Sequence, residues 1–157
     1  MRKKFIAATL CYVKNKGKTL MLFRNKKKND IHEGKYNGLG GKMESGETPL
    51  ECVKREVFEE SGLKIKNPRL KGLLIFPDFD GENDWMVFVF TAKTFSGKLK
   101  KCSEGDLTWV KDNMLLSLNL WEGDKVFLKY LDKKGFFSGV FYYRNKKLIS
   151  HKMEYRD

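Results

Sequence analysis

The apolar positions of the chain change their spacing along its length, and each spacing predicts a different kind of element. Residues 5–13 are almost all apolar and predict a buried strand, and residues 19–24 predict a second strand that a turn around Gly17 joins to the first. Further apolar and aromatic runs predict strands at 70–79 and 85–95 with a turn at 80–83, a short strand at 107–110, and a hairpin over 136–149 with its turn at 145–147. Strands are therefore predicted near both ends of the chain and in its middle.

One helix is marked at both ends by its own residues. Thr48 is the predicted N-cap, Pro49 stands at the first helical position, and Glu51 completes a capping box with Thr48. Gly62 predicts the end of this helix. Its apolar face is predicted from Leu50, Val53 and Val57. Helical spacing returns over 121–131, and strands mixed with two or three helices predict an α/β fold with a mixed sheet.

Length and composition narrow the class of protein. A chain of 157 residues suits one domain over residues 1–157. No apolar run is long enough for a membrane span, and the basic start, residues 1–6, is better explained as the first strand than as a signal peptide. We therefore expect a cytoplasmic protein with no membrane partner. Three scattered cysteines, Cys11, Cys52 and Cys102, predict reduced thiols rather than disulfides or a zinc site.

The formal net charge of +12 indicates an anionic partner, which leaves nucleic acid, a membrane surface or a phosphorylated small molecule open. A lysine-rich surface that serves only solubility is an equal alternative. We see no aromatic–basic segment typical of RNA-binding modules, so nucleic acid is not the expected partner.

Candidate chemistry lies in and after the glycine-rich segment 35–46. Glu56, Glu59 and Glu60 are spaced i, i+3 and i+4 on the predicted helix, so their carboxylates project from one face. Three like charges in a narrow arc destabilise the helix unless a cation shares them, and hard oxygen ligands suit Mg²⁺ or Mn²⁺. A solvated acidic surface is the alternative, but the glycine-rich segment beside it favours a site.

This segment resembles the Nudix signature, GX5EX7REUXEEXGU with U apolar, at every defined position. The matching residues are Gly41, Glu47, Arg55, Glu56, Val57, Glu59, Glu60, Gly62 and Leu63. The resemblance implies the Nudix fold, an α/β/α sandwich with a mixed β-sheet. It also implies an enzyme that cleaves a pyrophosphate bond in a nucleoside diphosphate derivative, with Mg²⁺ as cofactor and Mn²⁺ as a possible substitute.

The resemblance further implies roles for single residues. Arg55 would orient the catalytic carboxylates, and Glu47 would hold the loop against the helix. Glu59 is the first choice for the general base or the principal metal ligand, and Glu60 and Glu104 are the alternatives for the base. The implied metal ligands are the carbonyl of Gly40 and the carboxylates of Glu56, Glu59, Glu60 and Glu104, and the implied catalytic residues are Arg55 and the same four glutamates.

A looser likeness covers nearly the whole chain. Residues 35–42 resemble the loop before the signature in the MutT-homolog oxidised purine nucleoside triphosphatases, and residues 104–109, 120–124 and 136–139 resemble the C-terminal half of that subgroup. The substrate-binding residues that this likeness implies are Thr9, Asn37, Gly40, Gly41, Lys42, Phe76, Trp121 and Asp124.

Each base-binding residue has a second explanation. Trp121 can stack on a purine, but it can also be a core residue of the predicted helix. Asn37 and Asp124 can hydrogen-bond the base edge, or they can be a turn former and a helix-end charge. Lys42 can contact phosphate or lie on the surface.

The chain departs from the subgroup at three places. Gly123 stands where some members carry a second carboxylate, and Ile31 stands where an aromatic residue is common. No residue among 25–28 matches unambiguously a lysine that assists substrate binding in the subgroup.

Three functions are compatible with these patterns. The leading hypothesis is hydrolysis of an oxidised purine nucleoside triphosphate such as 8-oxo-dGTP, which would sanitise the nucleotide pool. The second keeps the chemistry but changes the substrate to a nucleotide sugar, a dinucleoside polyphosphate or an RNA 5′ end. The third is a non-catalytic binding module, which the complete set of carboxylates disfavours. A monomer and a dimer are both compatible with the sequence. His32 and His151 are expected to be incidental; His32 lies in the substrate-side loop and could face a ligand, but a solvent-exposed position is favoured.

Overall fold

The computed structural model describes residues 3–157, so Met1 and Arg2 of the predicted first segment lie outside the described residues. The strands are β1 (Phe5–Asn15), β2 (Lys18–Phe23), β3 (Tyr36–Asn37), β4 (Leu39–Lys42), β5 (Lys64–Lys66), β6 (Arg69–Phe76), β7 (Asp84–Ala92), β8 (Thr94–Ser96), β9 (Asp106–Lys111), β10 (Phe136–Arg144) and β11 (Lys147–Arg156). The helices are α1 (Pro49–Ser61) and α2 (Glu122–Phe127), with 3₁₀ turns at Asp112–Ser117 and Leu128–Tyr130.

Nine strands within residues 3–157 form one mixed sheet. Its order is β11-β10-β6-β7-β1-β2-β3, with β4 joined to β1 and β9 joined to β2. Strand β1 is parallel to β7 and antiparallel to β4 and β2, and β10 is parallel to β6. The predicted α/β class with a mixed sheet is therefore confirmed.

The central strands of this sheet are buried on both faces. Along β1, Cys11 and Val13 pack in one hydrophobic cluster with Val53 of α1, whereas Tyr12 belongs to a second cluster with Phe127 of α2. Because successive side chains of a strand point to opposite faces, the sheet lies between the two helices. The near-continuous apolar run of β1 reflects this two-sided burial.

Helix α1 has the predicted boundaries. The side chain of Thr48 accepts a hydrogen bond from the Glu51 N–H at 3.1 Å, and the Glu51 carboxylate accepts one from the Thr48 N–H at 3.2 Å. Gly62 ends the helix at φ 82°, a left-handed conformation that favours glycine. The predicted apolar face needs one correction, because Leu50 is 44% exposed and Cys52 is buried in its place.

The two predicted hairpins are present. Lys16 and Gly17 join β1 to β2, and Asn145 and Lys146 join β10 to β11, all four with positive φ. Two-residue turns of this kind match the twist of antiparallel strands. The closing hairpin extends seven residues beyond its predicted end, because β11 continues to Arg156 as a polar edge strand.

Several predicted boundaries are wrong. The strand predicted over 70–79 ends at Phe76, because Pro77 has no N–H to donate and Asp78 has φ 50°. The strand predicted over 85–95 stops at Ala92, and β8 then pairs with β5 in a separate two-stranded sheet. The helix predicted over 121–131 starts after Trp121, and its last turn tightens to 3₁₀ geometry.

The three cysteines are free and buried, as predicted. None of the helices in the described part of the chain combines the length and apolar character needed to cross a bilayer.

Candidate functional site

A cleft of about 690 Å³ opens beside the N-terminal half of β1 and the start of α2. It is lined by all eight predicted substrate-binding residues, Thr9, Asn37, Gly40, Gly41, Lys42, Phe76, Trp121 and Asp124. Glu56 and Glu104 also line it, whereas Arg55, Glu59 and Glu60 do not. The fold therefore brings together segments that are far apart in the sequence.

One end of the cleft is formed by Gly40, Gly41, Glu56 and Glu104. Glu60 is buried next to it and accepts the Gly40 N–H, and we call the five residues together the carboxylate end. Both glycines are needed for close approach. A Cβ atom at Gly40 would overlap the carbonyl oxygen of Thr9, and one at Gly41 would lie 2.5 Å from the Glu56 carboxyl carbon. Strand β4 can thus lie directly against β1 on one side and the α1 carboxylates on the other.

Arg55 ties the carboxylate end together from outside the cleft. Its Nε and Nη2 donate to the two oxygens of Glu47 at 2.6 and 3.0 Å, and its Nη1 donates to Glu56 at 2.8 Å and Glu59 at 3.2 Å. Its Nη2 also donates to the Lys42 carbonyl oxygen at 3.1 Å. One guanidinium therefore connects the loop, strand β4 and the helical carboxylates with charge-assisted hydrogen bonds.

The carboxylates of this region have opposite pKa shifts. The Arg55 guanidinium lowers the pKa of Glu47 to about 2. The pKa of Glu60 is raised to about 9, mainly by burial and also by the neighbouring Glu104 and Glu56, although the Gly40 N–H donates to the Glu60 carboxylate at 2.7 Å. Burial also raises the pKa of Glu56. Crowded, partly buried carboxylates of this kind favour either a proton or a cation.

Glu59 differs from the other helical carboxylates. Its side chain is 55% exposed, and its contact is with Arg55 rather than with the cleft. Glu104 reaches the cleft from the loop before β9, and its carboxylate lies 3.8 Å from Nη2 of Arg24. The structure thus places Glu56, Glu60 and Glu104 together and Glu59 at their rim.

The donor chemistry of the carboxylate end fits a divalent metal ion. Among residues 3–157, no group of three or more His, Cys, Asp or Glu side chains is arranged to hold such an ion. The available donors are nevertheless all oxygens, and repulsion by the Glu104 carboxylate contributes to the raised pKa values of Glu56 and Glu60. Hard oxygen donors whose repulsion a cation relieves are suited to Mg²⁺ or Mn²⁺.

A second part of the cleft, which we call the aromatic end, consists of His32, Phe76, Phe79, Trp121 and Tyr143. Trp121 is its centre. The ring centroids of Phe79 and Tyr143 lie 5.1 and 5.3 Å from that of Trp121 in edge-on arrangements, and the indole N–H donates to His32 Nδ1 at 2.8 Å. Trp121 is 4% exposed, so it is both a buried residue and a wall of the cleft.

Two polar side chains face this aromatic wall. The side-chain nitrogen of Asn37 is buried and has no hydrogen-bond partner within residues 3–157. Asp124 is 7% exposed, and burial raises the pKa of its carboxyl to about 7, with Lys35 opposing the shift. An unpaired buried donor beside a buried carboxyl is costly unless a ligand completes the hydrogen bonds.

Sequence reasoning missed several cleft residues. The favoured prediction of an exposed His32 is wrong and its alternative, a residue facing the ligand site, fits better: His32 lines the cleft, half-buried against Trp121 and Phe79, and burial together with Arg24 lowers its pKa to about 4. Phe79 lies in a segment predicted as strand, and Tyr143 in a hairpin predicted only to close the fold. Nothing in their local sequence identifies them, because the loop and strand that carry them meet Trp121 only in the fold.

Comparisons with known proteins agree with this geometry. The NUDIX domain model matches residues 4–131. The chain is 34% identical to an uncharacterized Nudix hydrolase of Bacillus subtilis, YvcI, and 30% identical to an oxidized purine nucleoside triphosphate hydrolase of Danio rerio, each over 93% of this chain and 92% of the relative. It is also similar to the crystal structure of a MutT protein from Bacillus halodurans, with a TM-score of 0.85, 35% identity, and coverage of 95% and 97% of the two chains.

Proposed function

Because the chain belongs to the Nudix family of hydrolases, we propose that it hydrolyses an oxidised purine nucleoside triphosphate, such as 8-oxo-dGTP, to the monophosphate and pyrophosphate. Members of this family are enzymes that act on small nucleotides and generally use divalent metal ions. Beyond these family properties, we propose which base the substrate carries, that the substrate is a triphosphate, and that the metal ion is Mg²⁺.

The observation that carries the proposal is the unpaired side-chain nitrogen of Asn37 in the aromatic end. It is a hydrogen-bond donor in the cleft that the buried carboxyl of Asp124 and the ring of Trp121 also line. A purine presents a flat π face for stacking and an edge with both donors and acceptors. An oxidised base changes the donor–acceptor pattern of that edge, to which such a site can respond.

The carboxylate end suits the triphosphate. The carbonyl of Gly40 and the carboxylates of Glu56, Glu59, Glu60 and Glu104 would hold Mg²⁺. Bound there, the metal would neutralise phosphate charge and lower the pKa of water. Gly41 and Lys42 lie where they can contact the phosphates, and Arg55 keeps Glu56 and Glu59 in position through its hydrogen bonds.

The general base is a carboxylate that receives a proton from the attacking water, and Glu59 remains our first choice. It is the most exposed of the helical three, and Arg55 holds it 3.2 Å away by a hydrogen bond. Glu60 and Glu104 are the alternatives. A base of this kind contributes about 10²- to 10⁴-fold to the rate.

Two relatives support the choice of substrate. The Danio rerio protein and a Mus musculus protein, which is 32% identical over 78% of this chain, are both named oxidized purine nucleoside triphosphate hydrolases. The net charge of +12 would help to attract a highly charged nucleotide.

The test is hydrolysis across a nucleotide panel with Mg²⁺, with products separated by chromatography. The panel contains 8-oxo-dGTP, 2-hydroxy-dATP, dGTP, ADP-ribose and a diadenosine polyphosphate. We expect the highest kcat/KM for an oxidised purine triphosphate, with pyrophosphate as a product, and loss of this activity in Glu59→Gln. Glu51→Gln, on the same helix, is the matched control because glutamine also completes a capping box. Activity confined to ADP-ribose or the dinucleotide would refute the proposed substrate.

A further inference from the structure

We propose that the Tyr143 hydroxyl determines base specificity at the aromatic end by donating a hydrogen bond to a purine that carries a carbonyl group at C6. This inference rests on the proposed function, because it takes the ligand of the aromatic end to be a purine. It goes beyond that function by dividing purines into two classes, those with a 6-oxo group and those with a 6-amino group.

The hydroxyl oxygen of Tyr143 already accepts a hydrogen bond, so the hydroxyl proton is free to be donated to a ligand. Its oxygen accepts the backbone N–H of Gly123 at 2.6 Å. The ring is held edge-on against Trp121 and Phe79, at centroid distances of 5.3 and 5.6 Å. Since Tyr143 lines the cleft, the O–H is a donor at the wall of the base site, next to the residue that precedes Asp124.

Gly123 and Tyr143 depend on each other. A Cβ atom at position 123 would lie 2.7 Å from both the Tyr143 hydroxyl oxygen and a ring carbon of the buried Phe141. No side chain at 123 fits while Tyr143 keeps its place. The phenol therefore occupies the space that a second carboxylate beside Asp124 would need.

With a phenol in place of a second carboxyl, the base site can offer fewer patterns of hydrogen-bond donors and acceptors. A second carboxyl at this place could donate or accept a hydrogen bond, according to whether it carries its proton. Burial raises the pKa of Tyr143, with Asp124 and Glu122 adding to the shift, so the phenol keeps its proton. Tyr143 therefore remains a donor at neutral pH.

A fixed donor distinguishes the two purine classes. A 6-oxo purine presents a carbonyl acceptor with a ring N–H beside it, which the O–H of Tyr143 and the carboxylate of Asp124 can satisfy together. A 6-amino purine presents an N–H donor in the position of the carbonyl, so two donors would face each other. A buried polar group left without a partner weakens binding by about tenfold or more.

The test compares kcat/KM for 8-oxo-dGTP and dGTP with that for 2-hydroxy-dATP and dATP, in the wild type and in Tyr143→Phe. We expect the wild type to prefer the 6-oxo bases, and Tyr143→Phe to lose about tenfold on these alone. Tyr142→Phe is the matched control, because Tyr142 is the neighbouring residue of β10 and is 40% exposed. Circular dichroism and the Tm of each variant establish that it is folded.

A parallel calorimetric titration with dGMP and dAMP keeps this test separate from the test of the proposed function. If the wild type hydrolyses no purine triphosphate but binds dGMP more tightly than dAMP, and Tyr143→Phe removes the difference, the proposed reaction fails and the role of Tyr143 stands. If the wild type hydrolyses purine triphosphates and Tyr143→Phe leaves the 6-oxo to 6-amino ratio unchanged, the role of Tyr143 is refuted. Equal affinity of the wild type for dGMP and dAMP also refutes it.

Discussion

The two ends of the cleft are built in different ways. At the carboxylate end, most residues come from one continuous segment, 40–60, and Arg55 links Glu56 of this end to Glu47 and Glu59 by hydrogen bonds between 2.6 and 3.2 Å. The aromatic end is assembled from residues as far apart as His32 and Tyr143, and the same cleft is lined by Asn37, whose buried side-chain nitrogen has no partner within residues 3–157. Two carboxylates of the first end already accept hydrogen bonds from the protein, whereas the second end has a buried polar group whose hydrogen bond a ligand would supply.

This difference predicts that the two ends have separate functions. A set of carboxylates fixed by its own hydrogen bonds suits a reaction at a group common to all substrates, the pyrophosphate. A set of rings with unpaired polar groups suits discrimination between bases. Substitutions at the carboxylate end should therefore lower kcat for every substrate, and substitutions at the aromatic end should change the order of substrates.

The largest effect is expected from Glu56→Gln. Glu56 lines the cleft and is hydrogen-bonded to Arg55, so its loss removes a charged oxygen from the proposed metal site. We expect kcat to fall about 10³-fold for all accepted nucleotides, within the range of carboxylate catalysis. Steady-state kinetics with two different bases tests this, with Glu51→Gln as the control. A normal kcat would mean that the carboxylate end is not the reaction site.

A smaller and selective effect is expected from Asn37→Ala. Removing the unpaired donor should lower kcat/KM for the preferred purine by about tenfold, the loss of one hydrogen bond to a buried group. The activity on a pyrimidine triphosphate should change little, and this substrate is the internal control. An equal loss on purines and pyrimidines would indicate that Asn37 supports the fold rather than the base.

The aromatic end should also make stability depend on pH through His32. Its pKa is lowered to about 4 in the folded protein, mainly by burial, against about 6.5 in the unfolded chain. The unfolded state thus binds more protons between these values, so stability falls as pH falls from about 6.5 to about 4. Compared with His32→Gln, the wild type should lose about 1–3 kcal/mol of unfolding free energy over this interval.

Urea unfolding at pH 7.5, 6 and 4.5 measures this difference. His151→Gln is the matched control, because it removes an exposed histidine from β11. A constant difference between the wild type and His32→Gln at all three pH values would contradict the burial of a neutral His32.

The smallest effect is expected from Thr48→Ala. The variant removes the side-chain acceptor of the α1 capping box and should cost about 1 kcal/mol of unfolding free energy. At a temperature where the protein remains folded, kcat should not change, because Thr48 does not line the cleft. Ser45→Ala, in the exposed loop before it, is the control for stability. A large drop in kcat would show that the cap also positions the carboxylates.

The same contrast explains what the sequence could predict. The carboxylate end was predictable because its residues are close in sequence, and α1 carries its own capping signals at Thr48 and Gly62. Strands β3 and β4 were not predicted within the glycine-rich segment, because glycine has low strand propensity and their pairing with β2 and β1 is a tertiary effect.

Long-range contacts account for most of the remaining errors. The half-buried position of His32 depends on Trp121, 89 residues away. Tyr143 follows a register shift in β10, and its local pattern indicates only a strand. The resemblance to a known subgroup did identify Asn37, Trp121 and Asp124, all of which line the cleft, but that information came from related proteins rather than from residue spacing.

The central claim is that reaction and base recognition occupy separate ends of one cleft. Its most direct test is the ratio of kcat/KM for 8-oxo-dGTP to kcat/KM for dCTP, measured side by side in the wild type, Glu56→Gln and Asn37→Ala. We predict that the ratio is unchanged in Glu56→Gln, although both rates fall, and that it decreases about tenfold in Asn37→Ala. A ratio that falls in Glu56→Gln and stays constant in Asn37→Ala would contradict the claim.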